Sequence, residues 1–279
     1  MNTLDIIVAT RNAKEKLLRA ISSIYSFRPR IPFRVLIIDN ASSDGTEELV
    51  RREFSSYKNM FFLKNNKNMG VAPARNQGLR WASADYILLI DDDTELINDA
   101  INIMISFMER NRVVGVVGPR MYNEKGEFLP SYKRFPHFLA PFMHRMSFIP
   151  FIKKSNILRK HLLSDIEIRK PTPVDYVIGA CQLIRREVLE KTGPLDGHIF
   201  YGTEDIDFCI RVWMKGYAVV YHPGAEIIHY WRRSSYKKIF KKNTFLHFKN
   251  YIYLMCKYAN IKSTVIPAIH RRQKNFPFT

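Results

Sequence analysis

Residues 86–93 read YILLIDDD, a short apolar run that ends in three consecutive carboxylates. An uninterrupted run of aliphatic side chains of this length predicts a buried strand. Strands of this kind are typical of parallel sheets that helices cover on both faces. The three carboxylates of Asp91, Asp92 and Asp93 are then expected just beyond the carboxyl end of the strand.

The sequence before and after this stretch repeats an alternation of strands and helices. Further apolar runs predict strands at 4–10, 33–38, 60–63 and 113–117. Apolar side chains at helical spacing predict helices at 13–26, 72–83 and 97–110. Another helix is predicted after the turn that follows Asp39, with Ser43 or Asp44 as its N-cap. This alternation predicts an α/β protein with a mostly parallel, doubly wound sheet.

The pattern changes after about residue 120. Residues 128–173 are irregular, basic and rich in proline and phenylalanine. Beyond them, short strands are predicted at 174–177, 183–184, 218–221 and 226–229, and helices at 204–215 and 236–258. We therefore predict a main domain over residues 1–230 and a basic, aromatic, helical C-terminal extension over residues 231–279.

The charge of the chain restricts its partners. Lysine and arginine number 44 against 26 acidic residues, which gives a formal net charge of +18. Such a charge favours nucleic acid, anionic lipid or phosphate-bearing substrates, although a merely basic surface is the alternative. Binding of nucleic acid is disfavoured, because acidic side chains at the strand ends would repel its phosphates.

The remaining composition indicates a compartment. The three cysteines are widely spaced and form no metal-binding motif, so we expect buried thiols in a reducing environment. The N-terminus does not resemble a signal peptide, and no stretch approaches the ~18–20 apolar residues of a membrane span. These features predict a cytoplasmic protein.

Polar residues follow three of the predicted strands. They are Thr10, Arg11 and Asn12, then Asp39 and Asn40, then the three aspartates at 91–93. In doubly wound sheets, ligands bind beyond the carboxyl ends of the strands, so these side chains are expected to line one crevice. Three adjacent carboxylates repel one another, and a divalent cation that prefers oxygen ligands would neutralise them. A solvated turn with an N-cap at Asp93 or Thr94 is the alternative.

Other segments offer weaker signals when each is considered alone. Arg75 lies near a predicted helix start, where it could reach a diphosphate or simply face solvent. Glu204, Asp205 and Asp207 lie in the first turn of a helix, where the macrodipole favours acids. One of them could instead be a general base. His229 ends a strand and is either a core histidine or a metal ligand facing the aspartates.

Together and in this order, these segments resemble family 2 glycosyltransferases of the GT-A fold, more particularly a bacterial rhamnosyltransferase-like branch that builds surface polysaccharides. The resemblance covers about residues 4–258. It rests on residues 35–45, on 68–76 leading to Asp91–Asp93, and on 202–216 followed by His229. It implies an inverting enzyme that moves a sugar, with rhamnose one candidate, from a UDP- or dTDP-sugar to a glycan or lipid-linked acceptor. The implied cofactor is Mn²⁺ or Mg²⁺.

The resemblance also implies roles for individual residues. Contacts to the nucleotide-sugar would come from Thr10, Arg11, Asn12, Asp39, Asn40, Ser42, Arg75, Asp91, Asp92 and Gly179. Within that set, Thr10 and Asp39 would hold the nucleoside, and Gly179 would lie against the donor sugar. The metal ligands would be Asp91, Asp93 and His229. Asp205 would be the catalytic base, with Glu204 beside it near the acceptor. The first strand ends in Ala9-Thr10-Arg11-Asn12, where the family commonly has an aromatic residue before the Asn, and this departure weakens the case for stacking on the base.

The C-terminal extension is predicted to contact an anionic membrane surface, although a helix packed on the main domain with its lysines in water is the alternative. A basic cluster formed by Arg232, Arg233, Lys237, Lys238, Lys241 and Lys242 precedes aromatic residues, as in helices that contact anionic membranes. Residues 135–152 could add to such a surface at the inner face of the cell membrane.

The alternatives for function are a nucleotidyltransferase and a non-catalytic scaffold or polyanion binder. The former normally has a glycine-rich loop after the first strand, and residues 10–16 contain no glycine.

Overall fold

The computed structural model describes residues 2–135, 168–200, 202–230, 242–259, 262–274 and 276. Its strands are β1 (Leu4–Thr10), β2 (Phe33–Asp39), β3 (Met60–Lys64), β4 (Tyr86–Asp91), β5 (Thr94–Leu96), β6 (Val114–Tyr122), β7 (Phe128–Leu129), β8 (Tyr132–Lys133), β9 (Thr172–Pro173), β10 (Tyr176–Val177), β11 (Cys181–Arg185) and β12 (Ala218–His229). Its helices are α1 (Lys14–Ser26), α2 (Thr46–Phe54), α3 (Val71–Trp81), α4 (Ala100–Arg110), α5 (Arg186–Thr192), α6 (Glu204–Met214), α7 (Lys242–Lys257) and α8 (Lys262–Lys274).

A central, mostly parallel sheet organises the molecule, as the alternation of elements predicts. Its strand order is β3-β2-β1-β4-β11-β6-β12-β5. The first four strands run parallel to their neighbours, and β12 runs parallel to β6. β11 enters between β4 and β6 and is antiparallel to both. Helices cover the sheet, so β1, β2 and β4 are buried along nearly their whole length.

Close packing of helices on the sheet depends on small side chains at specific places. α3 lies against β1, and a Cβ added at Gly78 would stand 2.5 Å from Ile7 Cγ2. α1 turns Leu17, Ile21 and Ile24 toward the core, at the helical spacing that the sequence shows. The core is therefore continuous from the sheet into the helices on its faces.

Several predicted boundaries differ from the structure for physical reasons. The predicted N-cap of α2 at Ser43 or Asp44 is wrong, because the cap is Gly45, in the left-handed conformation with φ +83°. The helix predicted from residue 97 begins at Ala100, because residues 94–96 pair with β12 as β5. The two strands predicted at 218–221 and 226–229 are the single strand β12, which has a register irregularity between them.

The C-terminal helices pack against the main domain. Lys257 of α7 donates from Nζ to Asp207 Oδ1 and to Asp196 Oδ2, both at 2.6 Å. His270 of α8 lies 3.0 Å from Asp175 Oδ2. The domain boundary after residue 230 stays a prediction. Three predicted features fall at least partly outside the described residues: the basic cluster except for Lys242, the start of the helix predicted from residue 236, and residues 136–152.

Two observations bear on the predictions about membrane and cysteines. Across the described ranges, no helix combines the length and apolar character needed to cross a bilayer. Cys181 and Cys209 are buried as expected, but Cys256 is exposed on α7, so the expectation of buried thiols is wrong for that residue.

Candidate active site

The carboxyl ends of β1, β2 and β4 lie side by side at one edge of the sheet. Thr10 is in register with Asp39, and Ala9 is in register with Asp91. The structure therefore brings together the polar strand ends that the sequence predicts to converge. Parallel register is the reason, since it places the carboxyl ends of neighbouring strands at the same level.

The loops after β1 and β2 are cross-linked by short hydrogen bonds. Asp39 is fully buried, and its carboxylate accepts from the Ser42 backbone N–H at 3.1 Å and from the Ser42 hydroxyl. The Asn12 N–H donates to Ser42 Oγ at 2.9 Å, and Asn12 Oδ1 accepts from the Ser43 N–H at 2.8 Å. These bonds hold the rim of the crevice in one conformation.

Backbone strain concentrates at this edge of the sheet. Among the described residues, the non-glycine positions with positive φ are Asn12 at 50°, Ala41 at 64° and Thr203 at 80°. A left-handed conformation is costly for alanine and more so for a β-branched threonine. Asn12 is a predicted site residue, and Ala41 and Thr203 are next to predicted site residues. Strained backbone of this kind clusters at functional sites.

Asn40 has a supporting position in the same region. Its Nδ2 donates to Asn68 Oδ1 at 2.9 Å and to the Gly70 carbonyl at 3.1 Å, and its Oδ1 accepts from the Met69 N–H at 2.8 Å. Asn40 is buried and its amide bonds to the protein. It thereby ties the end of β2 to the loop that precedes α3.

Asp91, Asp93 and His229 form a cluster that could hold a metal ion. One ligand atom from each lies within 4.8 Å of the other two. His229 Nε2 is 3.0 Å from Asp93 Oδ1 and 3.9 Å from Asp91 Oδ2. Carboxylate oxygen with one imidazole nitrogen is a donor set that suits Mn²⁺ and tolerates Mg²⁺. The residues present fit a divalent cation, and Asp91 Oδ1 is already occupied by Arg75.

The charges in this cluster perturb one another. Burial raises the pKa of Asp91, and the negative charge of Asp93 raises it further against the opposing effect of Arg75. Burial would also raise the pKa of Asp93, but His229 and Lys16 outweigh it and the pKa is lowered. Burial lowers the pKa of His229, yet its hydrogen bond with Asp93 prevails and raises it. His229 and Lys16 thus partly neutralise the carboxylates, and a metal ion would bind in competition with the proton on His229.

Lys16 and Asp92 frame the cluster on the side of β1. Lys16 of α1 donates from Nζ to Asp93 Oδ2 at 3.3 Å and to the Tyr230 carbonyl. Asp92 turns toward the end of β1, where its Oδ2 accepts from the Arg11 N–H at 3.2 Å. Burial, followed by the charge of Asp93, raises the pKa of Asp92 to about 7. The three adjacent aspartates thus face different neighbours.

Arg75 is buried beneath the site. Its Nη2 donates to Asp91 Oδ1 and, at 2.7 Å, to the Gly179 carbonyl, while its Nη1 lies 3.6 Å from Glu204 Oε1. Burial would lower the pKa of Arg75, but the charges of Asp91, Glu204 and Asp205 raise it. A Cβ at Gly179 would stand 2.8 Å from Arg75 Nη1, so a larger residue there would have to displace the guanidinium. Arg75 therefore links Asp91, at the end of β4, to Gly179 and to Glu204 at the start of α6.

Glu204 and Asp205 begin α6 on the other side of Gly179. Asp205 is half-buried, and its Oδ2 accepts from the Gly179 N–H at 3.0 Å while its Oδ1 accepts from the Ile206 N–H at 2.8 Å. Glu204 is buried, and burial, followed by the charge of Asp205, raises its pKa to about 7. Glu204 Oε2 accepts no hydrogen bond from any residue that the structure describes.

Asp207, the third acid in the first turn of α6, stabilises the fold. Asp207 is fully buried and accepts from Arg211 Nε at 2.9 Å, from Lys257 Nζ at 2.6 Å and from the Tyr258 hydroxyl at 2.8 Å. The sequence leaves open which of the three acids is a general base. Burial beneath Arg211 and Lys257 excludes Asp207 from that role, because an acceptor hydroxyl cannot reach its carboxylate. The sequence does not predict that Lys16 contacts Asp93 or that Lys257 contacts Asp207, because nothing near either lysine in the chain indicates its partner.

Comparison with known proteins bears on the class of this site. The sequence profile described as "Glycosyl transferase family 2" matches residues 5–193. The chain belongs to glycosyl transferase family 2. The resemblance seen in the sequence is confirmed, and the protein is a transferase by family. This membership favours glycosyl transfer over a nucleotidyltransferase or a non-catalytic polyanion binder.

Individual relatives agree with the family in sequence and fold. An N-acetylglucosaminyl-diphospho-decaprenol L-rhamnosyltransferase of Mycobacterium tuberculosis is 26% identical over 267 residues, which is 91% of this chain and 84% of that protein. A Pyrobaculum calidifontis mannosyltransferase solved with GDP-Man and Mn²⁺ has a TM-score of 0.59 at 19% identity, covering 84% of this chain and 58% of that one. GalNAc-T7, solved with UDP, GalNAc and Mn²⁺, has a TM-score of 0.68 at 17% identity. The match covers 91% of this chain and 48% of the GalNAc-T7 chain. The chain thus spans less than two thirds of either solved chain, and these two likenesses concern the fold, which is that of GT-A glycosyltransferases.

Proposed function

We propose that this protein is an inverting glycosyltransferase that moves a sugar from a UDP- or dTDP-sugar to a glycan or lipid-linked acceptor. The supporting observation is the arrangement at one sheet edge of two chemically distinct groups. One is the cluster of Asp91, Asp93 and His229, and the other is the Asp205 carboxylate. Gly179 and Arg75 connect them by direct hydrogen bonds.

The first group is suited to the leaving group of the donor. We infer that Asp91, Asp93 and His229 hold a divalent cation, Mn²⁺ or Mg²⁺. When bound, such an ion neutralises charge that develops on a diphosphate leaving group. The cross-linked loops after β1 and β2 provide a rim for the nucleoside, with Thr10, Arg11, Asn12 and Ser42 at its edge and Asp39 beneath.

The second group is suited to activate the acceptor. Each oxygen of Asp205 accepts one backbone N–H and keeps a second lone pair for a hydroxyl proton. Asp205 takes the proton of the acceptor hydroxyl as that oxygen bonds to the anomeric carbon. The bond from that carbon to the diphosphate oxygen breaks in the same displacement, which inverts the anomeric centre. Glu204 is more deeply buried and supports Arg75 rather than the hydroxyl.

The role of Asp205 is tested by replacing it with asparagine. Asp205→Asn is expected to lower the turnover of sugar transfer about 100-fold or more, the usual effect of losing a general base, while the Kd for the nucleotide changes less than about twofold. Asp99→Asn, at the start of α4 away from the site, is the control. Near-normal turnover of Asp205→Asn would show that another group takes the proton.

The sugar and the acceptor are suggested by the Mycobacterium tuberculosis relative. That protein is named for L-rhamnose transfer to an N-acetylglucosaminyl-diphospho-decaprenol, and it matches 91% of this chain. We propose dTDP-rhamnose as the first donor to test and a sugar carried on a lipid diphosphate as the first acceptor. Such transfer belongs to the biosynthesis of surface polysaccharides or glycolipids.

An anionic membrane surface is the further partner that we propose. The last 49 residues contain twelve lysines and arginines and no acidic residue. On α7, Phe248 and Ile252 lie one turn apart and are 50% and 45% exposed, with Lys249 exposed beside them. An exposed apolar pair with surrounding positive charge suits the interface of an anionic bilayer. Peripheral contact there would bring the enzyme to a lipid-linked acceptor.

Flotation with vesicles tests this contact. Wild-type protein is expected to float with phosphatidylglycerol vesicles and not with phosphatidylcholine vesicles. The double variant Phe248→Ser with Ile252→Ser is expected to float several-fold less, whereas Trp81→Ser, which removes an exposed apolar side chain from α3, is expected to behave as wild type. Equal flotation of the double variant and wild type would exclude α7 as the contact.

A further inference from the structure

Lys133 is a cation that the transfer reaction proposed above does not use. It ends the short strand β8, which pairs antiparallel with β10 so that Lys133 is in register with Tyr176. The pairing is extended by the Ile178 N–H, which donates to the Ser131 carbonyl at 2.8 Å. β10 leads directly to Gly179, whose N–H binds Asp205. The backbone of Lys133 is thereby held next to the strand that leads to the Asp205 carboxylate.

Among the residues that the structure describes, the charge of Lys133 is weakly compensated. The side chain is half-buried, and among the described residues no carboxylate forms an ion pair with it. Burial lowers the pKa of Lys133, and the charge of Asp205 offsets part of this effect. The Asp205 oxygens are bound to two backbone N–H groups, and Asp175 is bound by His270 and Gln273. A half-buried cation with this environment is suited to an anionic ligand.

The position of Lys133 relative to the metal cluster indicates which part of a substrate it would meet. A chain of contacts runs from Asp91 through Arg75 and Gly179 to Asp205. Lys133 belongs to the Asp205 end of it, because β8 pairs with the strand that leads to Gly179 and Asp205 is the carboxylate whose charge acts on the Lys133 ammonium. If the donor diphosphate lies at the Asp91 end and the acceptor hydroxyl at Asp205, the group near Lys133 belongs to the acceptor. This step rests on the proposed function.

We propose that Lys133 binds a phosphate group of the acceptor, so that the site takes a sugar carried on a phosphate or diphosphate in preference to a neutral glycoside. The hydroxyl that reacts would lie at Asp205, and the phosphate on the same sugar would lie at Lys133. A charged hydrogen bond of this kind distinguishes the two acceptors by about 10-fold or more in affinity.

Calorimetry with two acceptor probes tests this assignment. The probes are N-acetylglucosamine on a short-chain polyprenyl diphosphate and its neutral octyl glycoside, and binding is measured in EDTA so that bound metal does not contribute. Lys133→Met, which keeps most of the side-chain volume, is expected to weaken binding of the diphosphate probe about 10-fold and to leave the octyl glycoside unchanged. Lys133→Arg is expected to retain most of the affinity. Arg134→Met, an exposed neighbour, is the matched control.

Further arms separate the donor from the acceptor as the source of the phosphate. In Mn²⁺, the Kd of the nucleotide-sugar is expected to change less than about twofold in Lys133→Met. A selective loss of donor affinity would overturn the proposal and assign Lys133 to the donor diphosphate. Equal binding of the diphosphate probe by Lys133→Met and wild type would also overturn it. If no donor is ever cleaved but the binding of the diphosphate probe still depends on Lys133, the phosphate site stands and the proposed transfer reaction fails.

Discussion

The buried carboxyl of Glu204 makes the stability of the protein depend on pH. Its pKa is raised from 4.5 to about 7, first by burial and then by the charge of Asp205. Between these values the folded protein keeps a proton that the unfolded chain has lost. The contribution of the protonated Glu204 carboxyl to the free energy of unfolding is therefore fully present below pH 4.5, and it is lost as the pH rises through about 7. At about 1.4 kcal/mol for each tenfold change in proton affinity, the total is about 3 kcal/mol.

Glu204→Gln isolates this effect, because glutamine resembles the protonated carboxyl and does not titrate. We expect the free energy of unfolding of wild type to fall by about 3 kcal/mol relative to Glu204→Gln between pH 4.5 and pH 8. At pH 8 the variant is then the more stable protein. Unfolding in urea, followed by tryptophan fluorescence, gives both values, since Trp213 is buried on the same helix.

A control variant removes the contribution of net charge. Glu190→Gln deletes an exposed carboxylate from α5, where its side chain is 60% exposed. The pH dependence of Glu204→Gln is compared with that of this variant as well as with wild type. If wild type and Glu204→Gln keep the same difference in stability at both pH values, Glu204 is not a buried carboxyl with a raised pKa.

Three other substitutions test separate parts of the site. Asp93→Asn is expected to weaken Mn²⁺ binding about 100-fold, measured by calorimetry; unchanged binding would exclude Asp93 as a ligand. Gly179→Ala places a Cβ 2.8 Å from Arg75 Nη1 and is expected to cost about 1–3 kcal/mol in urea unfolding and to slow transfer, whereas a neutral result would mean that Arg75 can move aside. Lys257→Met removes one partner of the buried Asp207 and is expected to cost about 2 kcal/mol, with Lys257→Arg less affected; equal losses would point to packing rather than charge.

Much of the fold is predictable from sequence because its parallel strands carry local patterns. β1, β2 and β4 are buried on both faces, so each leaves an uninterrupted apolar run in the chain. The polar residues that follow these runs converge because parallel register requires it. Strands of two or three residues, such as β5 and β8, leave no such pattern, since pairing with a distant strand is what creates them.

The site is predictable in part for the same reason. The sequence identifies the acids at the ends of β4 and at the start of α6, but it does not tell what each side chain faces. Asp207 and Asp205 are two residues apart, yet one is fully buried under Lys257 and the other borders the crevice. The position of Arg75 beneath Asp91 and Gly179 likewise depends on packing between elements far apart in the chain. These contacts arise from tertiary structure and have no local signal.

Nucleotide release from a panel of UDP-, dTDP- and GDP-sugars tests the central proposal most directly. Purified protein is incubated with each donor in Mn²⁺ or Mg²⁺ and again in EDTA, and the free nucleotide is measured. We predict release from a UDP- or dTDP-sugar that EDTA abolishes and that Asp93→Asn lacks. Release that is insensitive to EDTA would contradict the metal site, and the absence of both release and nucleotide binding would contradict the assignment of the donor site.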